Sequence, residues 1–103
     1  MTTGKRLLGK VAQTSVLIKG IAHPVRIAIV YLLAEEPLWM KHIVVALNMP
    51  ESLVAHHLKS LIVSGWVAKA REGRYVTYTL NKKAFRQLPK LLADTPFWKE
   101  ITS

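Results

Sequence analysis

Residues 47–80 read Leu47-Asn48-Met49-Pro50-Glu51-Ser52-Leu53-Val54-Ala55-His56-His57-Leu58-Lys59-Ser60-Leu61, then Gly65-Trp66-Val67, then Arg71-Glu72-Gly73-Arg74-Tyr75-Val76-Thr77-Tyr78-Thr79-Leu80. Leu47 closes one short helix, and Asn48-Met49-Pro50 is a tight turn. Pro50 stands at the start of a second helix, with Glu51 favourable near the positive end of its dipole. Val54, His57 or Leu58, and Leu61 recur at helical spacing and mark the buried side. Gly65 fits the residue after the helix end, where a left-handed backbone is common. Trp66–Ala70 and Tyr75–Leu80 are β-rich runs. Between them Arg71–Arg74 forms a basic hairpin turn, with Gly73 where a positive φ is needed.

Outward from this stretch the chain reads as helices. Met40 to Leu47 is the helix before the turn, with Ile43, Val44 and Leu47 on one side. Pro24 opens an earlier helix whose buried stripe is Val25, Ile29, Leu32 and Leu33, stopped by Glu35-Glu36-Pro37. Arg6 to Lys19 is the first, with Leu7, Leu8, Val11, Ser15 and Ile18 on one stripe and Gly20 as its terminating C′ residue. Asn81 caps a last helix from Lys82 to about Leu92, carrying Phe85, Leu88, Leu91 and Leu92. Pro89 predicts a kink or early stop there. The expected fold is mainly α with a small β-hairpin, a winged helix-turn-helix in one domain over 1–103. Within it 1–20 is an N-terminal dimerisation helix, 39–64 the helix-turn-helix, 66–80 the wing, and 82–103 a C-terminal helix and tail.

The charge follows the same plan. The 103 residues include 15 Lys and Arg against 6 Asp and Glu, a formal net charge of +9. Such a balance favours a polyanionic partner. From Ser52 to Ala93 the basic residues are Lys59, Lys69, Arg71, Arg74, Lys82, Lys83, Arg86 and Lys90, and Glu72 is the sole acid. The positive field therefore coincides with the second helix of the turn motif and the hairpin. There is no cysteine, which excludes disulfides, thiolate metal sites and thiol redox sensing. No stretch approaches the roughly 20 apolar residues of a membrane span. The expectation is a soluble protein of the cytoplasm, associated with the nucleoid. Asp94 is the lone aspartate, and no acid–histidine spacing has a catalytic form, so an enzyme is not expected.

Four segments in order carry a resemblance to the ArsR/SmtB group of winged-helix transcriptional repressors, over roughly Ile21 to Leu92. Ala22-His23-Pro24-Val25-Arg26 looks like the family's opening of the second helix. Val54-Ala55-His56-His57-Leu58-Lys59-Ser60-Leu61 is similar to its recognition helix. Gly65-Trp66-Val67 matches the helix-to-strand junction, and Arg71–Tyr78 the wing. The resemblance implies a homodimer joined through the first and last helices, here Leu7, Leu8, Val11 and Ile18 with Phe85, Leu88 and Leu92. A two-fold dimer would set its reading helices about 34 Å apart, one DNA turn. Two metal sites common in the family do not carry over. The segment Leu38-Trp39-Met40-Lys41-His42 has no thiol, and the last helix has neither acid nor histidine. No metal and no cofactor are expected, and the sequence assigns no effector.

In a winged helix-turn-helix one helix enters the DNA major groove with a cationic hairpin beside it. Ser52, His56 and Lys59 fall near one face of that helix and are the first DNA contacts expected, Lys59 as a phosphate anchor. Leu53 and Ala55 stand where the family often has polar residues. They suit thymine methyls or packing, and they shift readout toward DNA shape. Arg71 and Arg74, helped by Lys69, suit phosphate or narrow minor-groove contacts. His57 is expected behind the helix, packed and hydrogen-bonded. Arg26 pins the second helix or adds a backbone contact. Trp39, Trp66 and Trp98 read as core or interface residues, as does the Phe97-Trp98 pair. The leading function is a sequence-specific, double-stranded-DNA-binding transcriptional regulator, a dimeric repressor. The alternatives are a winged-helix protein-interaction module and a nonspecific architectural DNA-binding protein.

Overall fold

The computed structural model describes residues 4–93, with side chains through Gln87, Lys10 excepted. Its elements are α1 (Gly4–Ile21), α2 (Pro24–Glu35), β1 (Leu38–Trp39), α3 (Met40–Leu47), α4 (Glu51–Ser64), β2 (Val67–Glu72), β3 (Tyr75–Leu80) and α5 (Lys82–Ala93). The order is that of a winged helix-turn-helix.

Local chemistry sets most boundaries. Pro24 occupies the first turn of α2, and the His23 Nδ1 accepts the Val25 N–H at 3.1 Å as its N-cap. Asn48 ends α3 in the left-handed region at φ 51°, a conformation Asn tolerates better than most residues. Gly65 ends α4 at φ 95°. The Asn81 Oδ1 accepts the Lys83 N–H at 3.1 Å and starts α5.

The core lies between the helices and the base of the sheet. Ile29, Ile43, Val54, Leu58 and Leu61 are fully buried, joined by Leu17, Val30, Leu33, Trp66, Val67, Tyr78 and Ala84. The Trp66 indole N–H donates to the Leu17 carbonyl at 2.7 Å, so one buried side chain ties α1 to the junction of α4 and β2. The Asn81 N–H donates to the Trp66 carbonyl at 2.8 Å and closes the base of the hairpin.

Several expectations change. The sheet has three strands, in the order β1-β3-β2. Leu38 and Trp39, read as the start of the third helix, pair antiparallel with Tyr78 and Thr77. Glu72 pairs with Tyr75, so the strands run through Arg71 and Glu72 and the turn is only Gly73-Arg74. Gly73 alone has a positive φ there, 62°, which is the pattern of a type II′ turn. Gly20 is not a C′ residue but lies inside α1, buried, where a Cβ would run into the Cβ and Oγ of Ser64. It is a close-approach site between α1 and α4. α5 does not stop at Pro89; its helical backbone continues to Ala93, with the one bond to the Phe85 carbonyl forgone. In α2 the deepest residues are Ile29, Val30 and Leu33, while Val25 and Leu32 are half-buried.

The first helix packs into its own chain mainly through Leu17. The stripe read from the sequence faces outward: Leu7, Leu8, Val11 and Ile18 are 50, 70, 49 and 47% exposed. The radius of gyration is 16.1 Å, against about 13 Å for a compact chain of this length. An extended apolar helix of this kind calls for a partner surface.

Candidate nucleic-acid interface

The two sides of α4 differ sharply. Val54, His57, Leu58 and Leu61 are buried. Ser52, Leu53, Ala55, His56 and Lys59 are all exposed on the outward side, as helical periodicity requires. The hairpin projects its own basic residues. Val67, Lys69 and Arg71 alternate onto one face with their partners Leu80, Tyr78 and Val76. At the base that face buries Val67 and Tyr78; toward the tip the same face carries Lys69 and Arg71, both exposed. The Arg71 Nε donates to the Gly73 carbonyl at 3.2 Å and so folds back over the turn, whereas Arg74 is exposed at the tip itself.

Between the wing and the first turns of α3 and α4 lies a groove of about 380 Å³, lined by Trp39, Lys41, Glu51, Arg74, Tyr75 and Tyr78 among others. Trp39 stacks on Tyr75 at 4.7 Å and on His42 at 5.5 Å, and the Lys41 ammonium sits 5.0 Å over the Trp39 ring. The His42 Nδ1 accepts the Trp39 N–H at 3.2 Å, steadying the start of α3. Burial, and then the nearby Glu51 carboxylate, push the Tyr78 hydroxyl above its ordinary value of 10.0. Lys41 is thus a cation of this surface that the sequence reading passed over. No local signal marked it, because α3 is fixed beside the wing only by the pairing of Leu38-Trp39 with β3.

Behind α4 is a polar cluster. The Arg26 Nε donates to the His57 Nδ1 at 3.2 Å, and its Nη1 donates to the Gly20 carbonyl at 3.3 Å. One guanidinium therefore ties α2 to both α1 and α4, and the open reading of Arg26 resolves as a pin. His57 is 5% exposed, as expected for a packed histidine. Its ring lies 4.4 Å from that of His23 and 5.3 Å from that of His56. Because Nδ1 accepts, the ring proton resides on Nε2. Burial, then His23, Arg26 and His56, hold His57 below its ordinary value of 6.5. The native state thus takes up this proton later than the unfolded chain does. Stability contributed here is complete above about pH 6.5 and declines as pH falls below it toward the depressed native value. Urea unfolding at pH 7.5, 6 and 5 is expected to show that decline, with a flatter profile in His57→Gln. Equal slopes for the two chains would assign the acid sensitivity elsewhere.

Leu7, Leu8, Val11, Ile18 and Phe85 form exposed apolar surface on α1 and α5, although Phe85 also meets Trp66 edge-on at 5.1 Å. The side chains of Leu88 and Leu92, and the whole of Phe97-Trp98, lie outside the described residues. Among the described residues no group of three or more His, Cys, Asp or Glu side chains is placed to hold a metal ion. Among them, too, no single helix is long and apolar enough to cross a membrane.

Comparison with known proteins agrees with this geometry. Residues 23–69, from the α2 cap through the helix-turn-helix into β2, match the model of the bacterial regulatory protein, arsR family. The HTH-type transcriptional repressor SmtB of Mycobacterium tuberculosis is 45% identical over 64 residues, 62% of this chain and 47% of the relative. The chain thus aligns with about half the length of that relative. Reduced HlyU from Vibrio cholerae superposes with a TM-score of 0.71 at 26% identity, covering 82% of this chain and 90% of that one. The homodimeric winged helix-turn-helix DNA-binding domain Mb0332 from Mycobacterium bovis has the same fold, with a TM-score of 0.74 at 24% identity over 91% of this chain and 90% of that domain. By its helix-turn-helix, its wing and these relatives, the chain has the winged helix-turn-helix fold, and its residues 23–69 are similar to the arsR family of bacterial regulatory proteins.

Proposed function

We propose that the chain is a sequence-specific, double-stranded-DNA-binding transcriptional regulator that acts as a homodimer and represses by occluding a promoter. The observation that carries the reading is the paired exposure of the α4 outer face and a basic hairpin tip on one winged-helix scaffold. In this reading 1–103 is one domain. The helix-turn-helix, 39–64, sets α4 in the major groove, the wing, 66–80, lies beside it, and the dimer forms through the helix of 1–20 and the last helix of the 82–103 segment. Ser52 and His56 face base edges or phosphates, with Leu53 and Ala55 flanking them against thymine methyls. Lys59, Lys69, Arg71 and Arg74 neutralise phosphates or enter the minor groove. The protein works by binding rather than catalysis, in the cytoplasm and on the nucleoid.

Fluorescence anisotropy with the chain's own upstream DNA and a scrambled duplex, at two salt concentrations, tests this. Tight binding to the first alone, weakening steeply with salt, is the expected result. Lys59→Ala and Arg74→Ala should each weaken binding and lower the slope of log affinity against log salt by about 1 per chain. Equal binding to both duplexes would replace the regulator with an architectural protein. No binding to either at low salt would overturn the DNA reading and leave the exposed Leu53 and Ala55 to a protein partner.

A further inference from the structure

The outer face of α4 continues past Lys59 through Ser60 and Val63, and there it meets the last turn of α1 and the first turn of α2. A cleft of about 540 Å³ opens between the three helices. Its apolar walls are Val16 and Val63, 55 and 78% exposed. Around them stand Lys19, Arg26, Lys59 and the His56 imidazole, and among the described residues no carboxylate lines the space. Arg26 commits Nε to His57 and one Nη1 proton to the Gly20 carbonyl. A guanidinium carries five N–H donors, so three remain for the cleft.

Charge and apolar surface are combined here in a way that a DNA backbone contact does not need. Phosphates are held by cations and amides, and gain nothing from two exposed valines. A ligand with an anionic head and an apolar body would use both. The volume is of the several hundred Å³ seen in small-molecule sites, here as a shallow depression open to solvent on one side. The cleft lies to one side of the expected dimer contact, with Val16 about 80° around α1 and about two turns along it from Leu8. At 100° per residue Val16 stands about 140° around α1 from Val11 and about 160° from Ile18. A partner seated on the Leu7–Val11–Ile18 stripe leaves this flank of α1 open.

We propose that this cleft binds a small amphiphilic organic anion, an aromatic or branched carboxylate or sulfonate, and that its occupancy opposes DNA binding. The first half stands on the cleft itself; the second rests on the DNA reading above. His56 and Lys59 belong to both surfaces, so an anion seated between them takes two groups from the phosphates and adds a negative charge against the backbone. The coupling is reciprocal, and DNA must weaken the anion's binding by the same factor.

The probe is 8-anilinonaphthalene-1-sulfonate, titrated into the full ¹⁵N-labelled chain and followed by amide shifts. Saturable shifts at Val16, Lys19, Gly20, Val63 and Ser64 are expected. Lys19→Glu and Val63→Glu, both at exposed positions, should each weaken the probe about tenfold, the first by reversing a charge and the second by adding one. Shifts confined to Leu7–Val11, or an unchanged affinity in both variants, would overturn the site. The probe should also weaken wild-type binding to the upstream duplex and do so less in Lys19→Glu. A filled cleft with unchanged DNA affinity would overturn the competition. A chain that binds no DNA would fail the regulator reading, while the amide shifts would still decide the cleft.

Discussion

Leu8→Glu/Val11→Glu is expected to sediment as a monomer and to lose at least about a hundredfold in affinity for the upstream duplex, the scale on which linked sites exceed single ones. Both side chains are substantially exposed in the single chain, at 70 and 49%, so neither change removes core packing. In an isologous dimer each substitution appears twice across the two-fold axis, placing four carboxylates in a contact made of leucine, valine and isoleucine. Burying them without partners costs several kcal/mol. The DNA loss follows from geometry. A dimer binds its second half-site as an intramolecular event, whereas a monomer must bind each half-site separately. Val45→Glu is the control, being 80% exposed on α3 away from that stripe. It should leave the mass unchanged. Sedimentation velocity gives the mass and far-UV circular dichroism confirms the fold. A double variant that remains a dimer would remove α1 from the interface.

The helix-turn-helix was legible because its punctuation is local. Pro50, the left-handed Gly65 and the alternating hairpin each determine structure within a few residues. The apolar spacing of Val54, Leu58 and Leu61 then divides α4 into a core side and an outer side. β1 was not legible for the opposite reason. Two residues carry no period, and Leu38-Trp39 is a strand only because β3 lies beside it, some 40 residues later in register with Tyr78 and Thr77. Pro89 does not stop α5, because a proline late in a helix forgoes one backbone bond while the bonds around it can remain.

The candidate site divides along the same line. Exposure of Ser52, His56, Lys59 and Arg74 follows from period and turn chemistry. The Arg26–His57 bond joins residues 31 apart, and no local rule pairs them. The groove that unites Lys41 and Trp39 with Arg74 and Tyr75 likewise needs the third strand in place. For the cleft beside Lys19 the sequence offered only two scattered valines, which reach one space when α1 crosses α4.

That crossing depends on Gly20, and Gly20→Ala is expected to destabilise the chain by about 2 kcal/mol. An added Cβ would overlap the Ser64 Cβ and Oγ and stand 3.3 Å from Trp66 Cδ1. The Ser64 Cβ is fixed to the backbone of α4, and its hydroxyl donates to the Ser60 carbonyl at 2.8 Å, so rotating the side chain gives no relief. The helices must separate, at about 3 kcal/mol near the upper range for overpacking, while alanine's better helix propensity returns about 1 kcal/mol. A chain of about 100 residues should then melt about 8–16 °C lower. Separation would also strain the Trp66 bond to Leu17, which ties α1 to the end of α4, and the Arg26 bonds to Gly20 and His57, which bridge α1 and α4. The test is a double-mutant cycle by urea unfolding. Ser64→Gly deletes both clashing atoms and should recover most of the loss in the Gly20→Ala background, a coupling of about 2 kcal/mol. Ser64→Ala keeps the Cβ and should recover little. If Gly20→Ala and Ser64→Gly add to within about 0.5 kcal/mol, the two positions are not in contact and the packing of α1 on α4 is wrong.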